Sequence, residues 1–112
     1  MYKQGEIWLV NFDPSIGHEY QKVRPALIIE NNNYLPLGSL ITVIPISSQT
    51  DKSQLLDVLI PKDSVNRLTK DSIIKTRQIS TFDKRRFLKH IGTCQFDVMR
   101  SVMDSVALYL KF

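Results

Sequence analysis

The sequence predicts a mainly β fold with a C-terminal helix, a small, partly open antiparallel barrel whose helix lies across one face. Three observations predict it. The chain has 112 residues, of which 43% are hydrophobic, enough for one domain spanning 1–112 and no second one. At least five short runs rich in β-branched and aromatic residues precede residue 80, each closed by Pro, Asn or polar residues. Only the C-terminal stretch repeats its apolar residues at a helical period.

In chain order, Ile7 to Phe12 reads as the first strand, closed by Asp13-Pro14, and the polar, Gly-containing segment Ser15 to Lys22 reads as a loop. Arg24-Pro25 opens Ala26 to Ile29, an apolar run too short for a helix, which Glu30 and three asparagines terminate. Leu40 to Ile46 is a third strand, where Pro45 lacks the amide hydrogen of a central ladder and so predicts an edge or a bulge. Asp57 to Ile60 and Ser72 to Ser80 read as two more strands, with Pro61 to Arg67 between them as a short helical turn. Met99, Val102, Met103, Val106 and Leu110 then recur at spacings of three and four, an amphipathic helix of about four turns. Its methionines read as core packing, because Met fills irregular gaps.

The apolar runs are all short and the N-terminus has no signal core, so a cytoplasmic protein without a membrane segment is expected. One cysteine, Cys94, cannot form an intrachain disulfide. With His18 and His90 dispersed it offers no zinc or iron spacing, so neither metal nor cofactor is expected. The net charge is +4, but residues 67 to 90 hold eight Lys and Arg against two Asp, which leaves the rest of the chain net acidic. A basic segment of this kind suits an anionic partner such as nucleic acid. The Lys84 to Lys89 cluster also fits a solvated helix face, whereas Lys75 and Arg77 fall in a strand-like stretch. Trp8 and Phe12 share one face of the first strand and read as core residues, although aromatics can also stack single-stranded bases.

The segment GEIWLVNFDPSIGHEYQKVRPALII, Gly5 to Ile29, resembles the opening signature of the MazF/PemK/Kid family of toxin endoribonucleases. It joins a Gly-acidic start, an aromatic-apolar strand, Asp13-Pro14, the Gly17-His18-Glu19 loop and Arg24-Pro25. PISSQ, Pro45 to Gln49, resembles the family's Pro-x-Thr-x-Gln strand end, and QISTFD, Gln78 to Asp83, resembles its Gln-x-Arg-Thr-x-Asp element. The resemblance implies an SH3-like or CcdB-like barrel, a homodimer, cleavage of single-stranded RNA without a metal, and a cognate PemI/MazE-like antitoxin.

Cleavage of that type turns the ribose 2′-hydroxyl on its own phosphate and needs a base, an acid and charge stabilisation. Arg24 matches the family's catalytic arginine, a permanent planar cation suited to phosphate oxygens. Ser47 aligns with the catalytic threonine and keeps the hydroxyl, with Ser48 beside it as a competitor for the role. His18 falls where the resemblance places an active-site histidine in some relatives, an imidazole being suited to proton transfer, while Glu19 is expected to orient Arg24 or contact a base. Lys75, Arg77, Gln78 and Ser48 are expected to hold the RNA. Two departures stand out: Arg77 replaces a carboxylate proposed as base in the Kid-like mechanism, and Ser80 replaces the arginine of the Gln-x-Arg-Thr element. A guanidinium does not deprotonate, so Arg77 cannot be that base. Two other readings are a CcdB-like gyrase poison and an RNA-binding module without catalysis. The first is disfavoured by Arg24-Pro25 and Ser47, and the second draws on Arg77.

Overall fold

A computed structural model describes residues 1–12 and 23–112. It contains seven strands among the described residues: β1 (Glu6–Asn11), β2 (Val23–Ile28), β3 (Leu40–Ser47), β4 (Val58–Ile60), β5 (Ser72–Ile74), β6 (Ser80–Asp83) and β7 (Phe87–Thr93). One helix, α1 (Phe96–Tyr109), follows them. The strands are antiparallel in the order β4-β5-β3-β2-β1-β7, and β6 pairs with β3 off this path. The two ends of the sheet, β4 and β7, do not pair with each other, so the barrel is open. Register shifts at Ile7/Trp8 and Leu9/Val10 interrupt the β1–β7 ladder, and such irregularities add twist and help the sheet to curl.

Strand β3 is the hub. One flank pairs with β2, while the other pairs with β6 through Leu40–Val43 and with β5 through Ile46 and Ser47. This corrects the edge or bulge expected from Pro45, which lies opposite Ala26 inside the sheet. The proline is tolerated because it falls where the second flank changes partner, at the break in the ladder, so its missing donor leaves no paired position vacant. Its carbonyl still accepts the Lys75 amide at 3.0 Å.

The strands of the hub are covered on both faces, which is why β2 and β3 read as apolar runs rather than as alternation. Leu27, Ile29, Ile44 and Ile46 join Ile7, Ile60, Ile74, Cys94 and Val102 in the layer under α1, with Val98, Met99 and Val106 packed against it. Their neighbours Ala26, Ile28, Ile41 and Val43 join Val10, Leu35 and Phe87 in an opposite layer, edged by Tyr2, Trp8, Phe12 and Phe82. Trp8 packs among Tyr2, Phe87 and His90, with ring centroids 4.7 to 6.2 Å apart.

Three expectations change. The predicted strand Ser72 to Ser80 is two strands split by a 3-10 turn at Thr76–Gln78, so Lys75 and Arg77 belong to a turn, not a strand. The basic Lys84 to Lys89 cluster is no helix face; Lys84–Arg86 form a 3-10 turn and Phe87 begins β7. In the helix, Val98, Met99, Val102 and Val106 carry the packing. Met103 is exposed, and exposed Leu110 follows as the C-cap.

Candidate active-site cleft

Arg24 and Pro25 follow Val23 at the start of β2, and Ser47 closes β3. Because the strands run antiparallel with Ala26 against Pro45, carrying that register two residues outward sets Arg24 against Ser47. Pro25 holds Arg24 in extended backbone, and Val10 of β1 pairs with it on the other side. Both residues line a cleft of about 610 Å³ at this end of the sheet. Its apolar lining comes from Leu9, Pro25, Ile46, Leu68 and Ile91, and its polar lining from Arg24, Ser47, Ser48, Gln49, Arg67, Thr69, Lys70 and Ser72. Three of these are cations, and none of the described lining residues is a carboxylate. An anion is the ligand such a cleft favours electrostatically.

Half-buried Arg24 lies with its Cζ 5.7 Å from the centre of the Phe12 ring, a cation–π contact that directs the stem. Its guanidinium makes no hydrogen bond or ion pair among the described residues. The Ser47 Oγ accepts the Gln49 amide at 3.1 Å, an arrangement that fixes the hydroxyl at the strand end and leaves its proton to donate. Ser48 is exposed beside it.

The remaining residues singled out from the sequence lie elsewhere. His18 and Glu19 fall outside the described residues. The Lys75 Nζ bonds to Asp57 Oδ2 at 2.8 Å and to the Lys52 carbonyl at 3.2 Å, with 11% of its side chain exposed and 2% of that of Asp57. Arg77 is exposed and reaches Gln54 Oε1 at 3.4 Å, and Gln78 is exposed on the same turn. None of these three lines the cleft.

Arg67 and Lys70 are the charged lining residues that sequence reasoning did not place in a site. They were visible only as members of a basic stretch. Their position depends on the loop between β4 and β5. The Asp63 carboxylate accepts the amides of Val65 and Asn66 at 2.8 and 2.6 Å, and its carbonyl accepts the Arg67 amide. Buried Asn66 ties the loop to itself through Asp63, Pro61 and Leu68. The loop rests on β7 at Gly92, where a Cβ would come within 2.4 Å of the Asn66 carbonyl oxygen, and the Thr93 amide donates to Val65. Next to it, burial pushes the Cys94 thiol up to about 11, aided by the charges of Asp63 and Asp97. Such a thiol is protonated at neutral pH and unreactive.

The sequence profile of the PemK-like, MazF-like toxin of type II toxin-antitoxin systems matches residues 3–110. A similar protein is an endoribonuclease MazF of Staphylococcus saprophyticus, 26% identical over 110 residues that cover 98% of this chain and 92% of the relative. Among solved structures, MazF from Deinococcus radiodurans superposes with a TM-score of 0.80 at 23% identity, covering 99% of this chain and 97% of that one. A mycobacterial endoribonuclease in complex with its cognate antitoxin gives 0.78 at 17% identity, with 100% and 99% covered. At those identities the two structures show that the fold is shared.

Proposed function

The chain belongs to the PemK-like, MazF-like toxin family of type II toxin-antitoxin systems, and from that premise we propose that it is a metal-independent endoribonuclease that cuts single-stranded RNA at a preferred sequence. Cutting messenger RNA in this way would inhibit translation and growth. The observation that carries this reading is the meeting of Arg24 and Ser47, from two different strands, in one cationic cleft. RNA brings its own nucleophile in the 2′-hydroxyl, so the protein has no water to activate and needs only to move protons and hold the phosphate.

In this mechanism the 2′-oxygen loses its proton and attacks the adjacent phosphorus. Negative charge then builds on the phosphoryl oxygens, and the 5′-oxygen departs with a proton, leaving a 2′,3′-cyclic phosphate and a 5′-hydroxyl end. Arg24 is assigned to the phosphoryl oxygens, where an always-charged planar fork stabilises the added charge. Ser47 donates its hydroxyl proton to the same phosphate. His18 is assigned proton transfer and Glu19 the orientation of Arg24 or contact with a base, with Ser48, Arg77 and Gln78 contacting the RNA strand outside the scissile position. Lys75, held by Asp57, is assigned the support of the turn that presents Arg77 and Gln78 rather than a contact of its own.

The same reading gives the protein a homodimeric state and a PemI/MazE-like antitoxin. A dimer agrees with the exposed Phe96, Leu108, Tyr109 and Leu110 on and beside α1, which packs against strand β4 with its exposed Leu59. An antitoxin that lays an acidic segment across the cleft would meet three cations there.

The test is incubation of the purified protein, in chelator, with mixed-sequence single-stranded RNA, beside the Arg24→Ala variant. Discrete cuts with 5′-hydroxyl ends, lost by a factor of roughly 10²–10³ in the variant, are expected. Undiminished turnover by a folded Arg24→Ala protein would remove Arg24 from the mechanism, and intact RNA with the parent would remove the activity.

A further inference from the structure

Eight Lys and Arg crowd residues 67 to 90, and the fold has already spent most of them. Lys75 is tied to Asp57, Arg77 to Gln54 and Arg85 to Asp83. Lys84 lies over the Tyr2 ring, and Arg86 donates to the Asn11 carbonyl while covering Phe82. Lys89 is exposed on β7, outside the cleft lining. Arg67 and Lys70 alone in this set are exposed, make no hydrogen bond or ion pair with their charged groups among the described residues, and line the cleft that holds Arg24 and Ser47.

Arg67 is also in an unusual backbone state, with a φ of 57° in the left-handed region where a Cβ is disfavoured. The conformation is imposed by its surroundings. Asp63 and Asn66 close the turn before it, and the carbonyls of Val65 and Asn66 lie against Gly92 of β7. Glycine would satisfy that backbone at no steric cost. The chain instead carries a long cation there, at the mouth of a cleft without a described carboxylate.

We propose that Arg67 and Lys70 form a second phosphate-holding arm, gripping the RNA backbone phosphates that flank the one at Arg24. The arm rests on the endoribonuclease reading above. It assigns the cleft a strand spanning several nucleotides, held by charge at both walls. Arg67 and Lys70 act in binding rather than in the chemical step, so their loss raises KM and leaves kcat nearly unchanged.

The experiment is steady-state cleavage of mixed-sequence single-stranded RNA by the full chain, Arg67→Gly and Lys70→Gln, between about 50 and 200 mM salt. Each phosphate contact to a single strand contributes about 0.7 to the slope of log affinity against log salt. Each variant is therefore expected to lower the slope of log KM by about 0.7 and to raise KM about tenfold at the low end. Arg67→Gly should retain or raise Tm, because glycine accepts the left-handed backbone, so its loss of affinity cannot come from unfolding. Unchanged KM and unchanged slope in both variants, with RNA still cut by the parent, would overturn the arm and leave the endoribonuclease reading standing. A parent that cuts no RNA would overturn both.

Discussion

Arg67 and Lys75 belong to the same basic stretch and carry the same charge, yet the fold uses them in opposite ways. Lys75 is turned inward onto Asp57 and four of its seven basic neighbours in the stretch are likewise engaged, whereas Arg67 and Lys70 line an open cleft from a braced loop. The difference teaches that net charge along a chain measures what must be neutralised somewhere, not what is offered to a ligand. What decides is whether a carboxylate or carbonyl lies within reach in the folded state. For Lys75 that partner comes from the segment before β4, and for Arg67 none of the described residues supplies one.

The inward side of this comparison is tested most severely at Asp57. Asp57→Ala leaves the Lys75 ammonium largely buried without its counter-charge, which should lower stability by about 3 kcal/mol. At about 4 °C per kcal/mol for a chain of this size, thermal unfolding should shift down by about 12 °C. KM for RNA, measured well below that melting point, should hold steady if the pair is structural; a large rise in KM would move Lys75 to the outward group.

Gly92 tests the brace under the outward group. Gly92→Ala places a Cβ within 2.4 to 2.6 Å of the Asn66 and Val65 carbonyl oxygens, backbone atoms that can yield only if the loop moves. A loss of about 2 kcal/mol in chemical denaturation is expected. It should come with a rise in KM like that of Arg67→Gly, since the displaced loop carries Arg67 and Lys70 with it. Lost stability with an unchanged KM would show that the arm is seated by something else.

The thiol beside that brace reports on it more gently. The folded Cys94 pKa is raised to about 11 from an ordinary value of 9.0. Its contribution to stability is thus complete below about pH 9 and is lost as pH rises toward 11, because the unfolded chain releases the proton first. The fall in Tm over that interval should be shallower in Cys94→Ala than in the parent; equal slopes would place the thiol in a more solvated setting than the loop and α1 give it. The smallest effect belongs to Arg85→Ala. Its pair with Asp83 lowers that carboxylate's pKa, chiefly through the Arg85 amide, but the arginine side chain is 90% exposed. No measurable change in Tm at neutral pH is expected.

Much of the architecture was legible because it rests on local pattern. The runs at β1 to β5 and the helical spacing of Met99, Val102 and Val106 reflect burial on defined faces, whereas Arg24-Pro25 and Ser47 stood out through their resemblance to a family motif. What was illegible depended on distant partners. The Ser72 to Ser80 run alternates well enough to pass for one strand, and only the tie from the Lys75 amide to Pro45 and the turn at Thr76–Gln78 break it. Strand β7 was hidden because Leu88, Lys89 and His90 are exposed, as befits an edge that must not recruit another strand. The mouth of the cleft at Arg67 could not be read at all, since its backbone is set by Gly92, far along the chain.

That support at Gly92 has a temporal side. During synthesis the N-terminal strand emerges first, but β1 has no outer neighbour until β7 follows, with Glu6 meeting Thr93 and Ile7 meeting Gly92. Pairings so far apart in the chain are slow to form and come late. The loop bearing Arg67 has nothing to lean on until the same residues leave the ribosome. A chain made only as far as β3 therefore carries Arg24 and Ser47 without the loop that completes the cleft, and β7 is the strand for which that cleft waits.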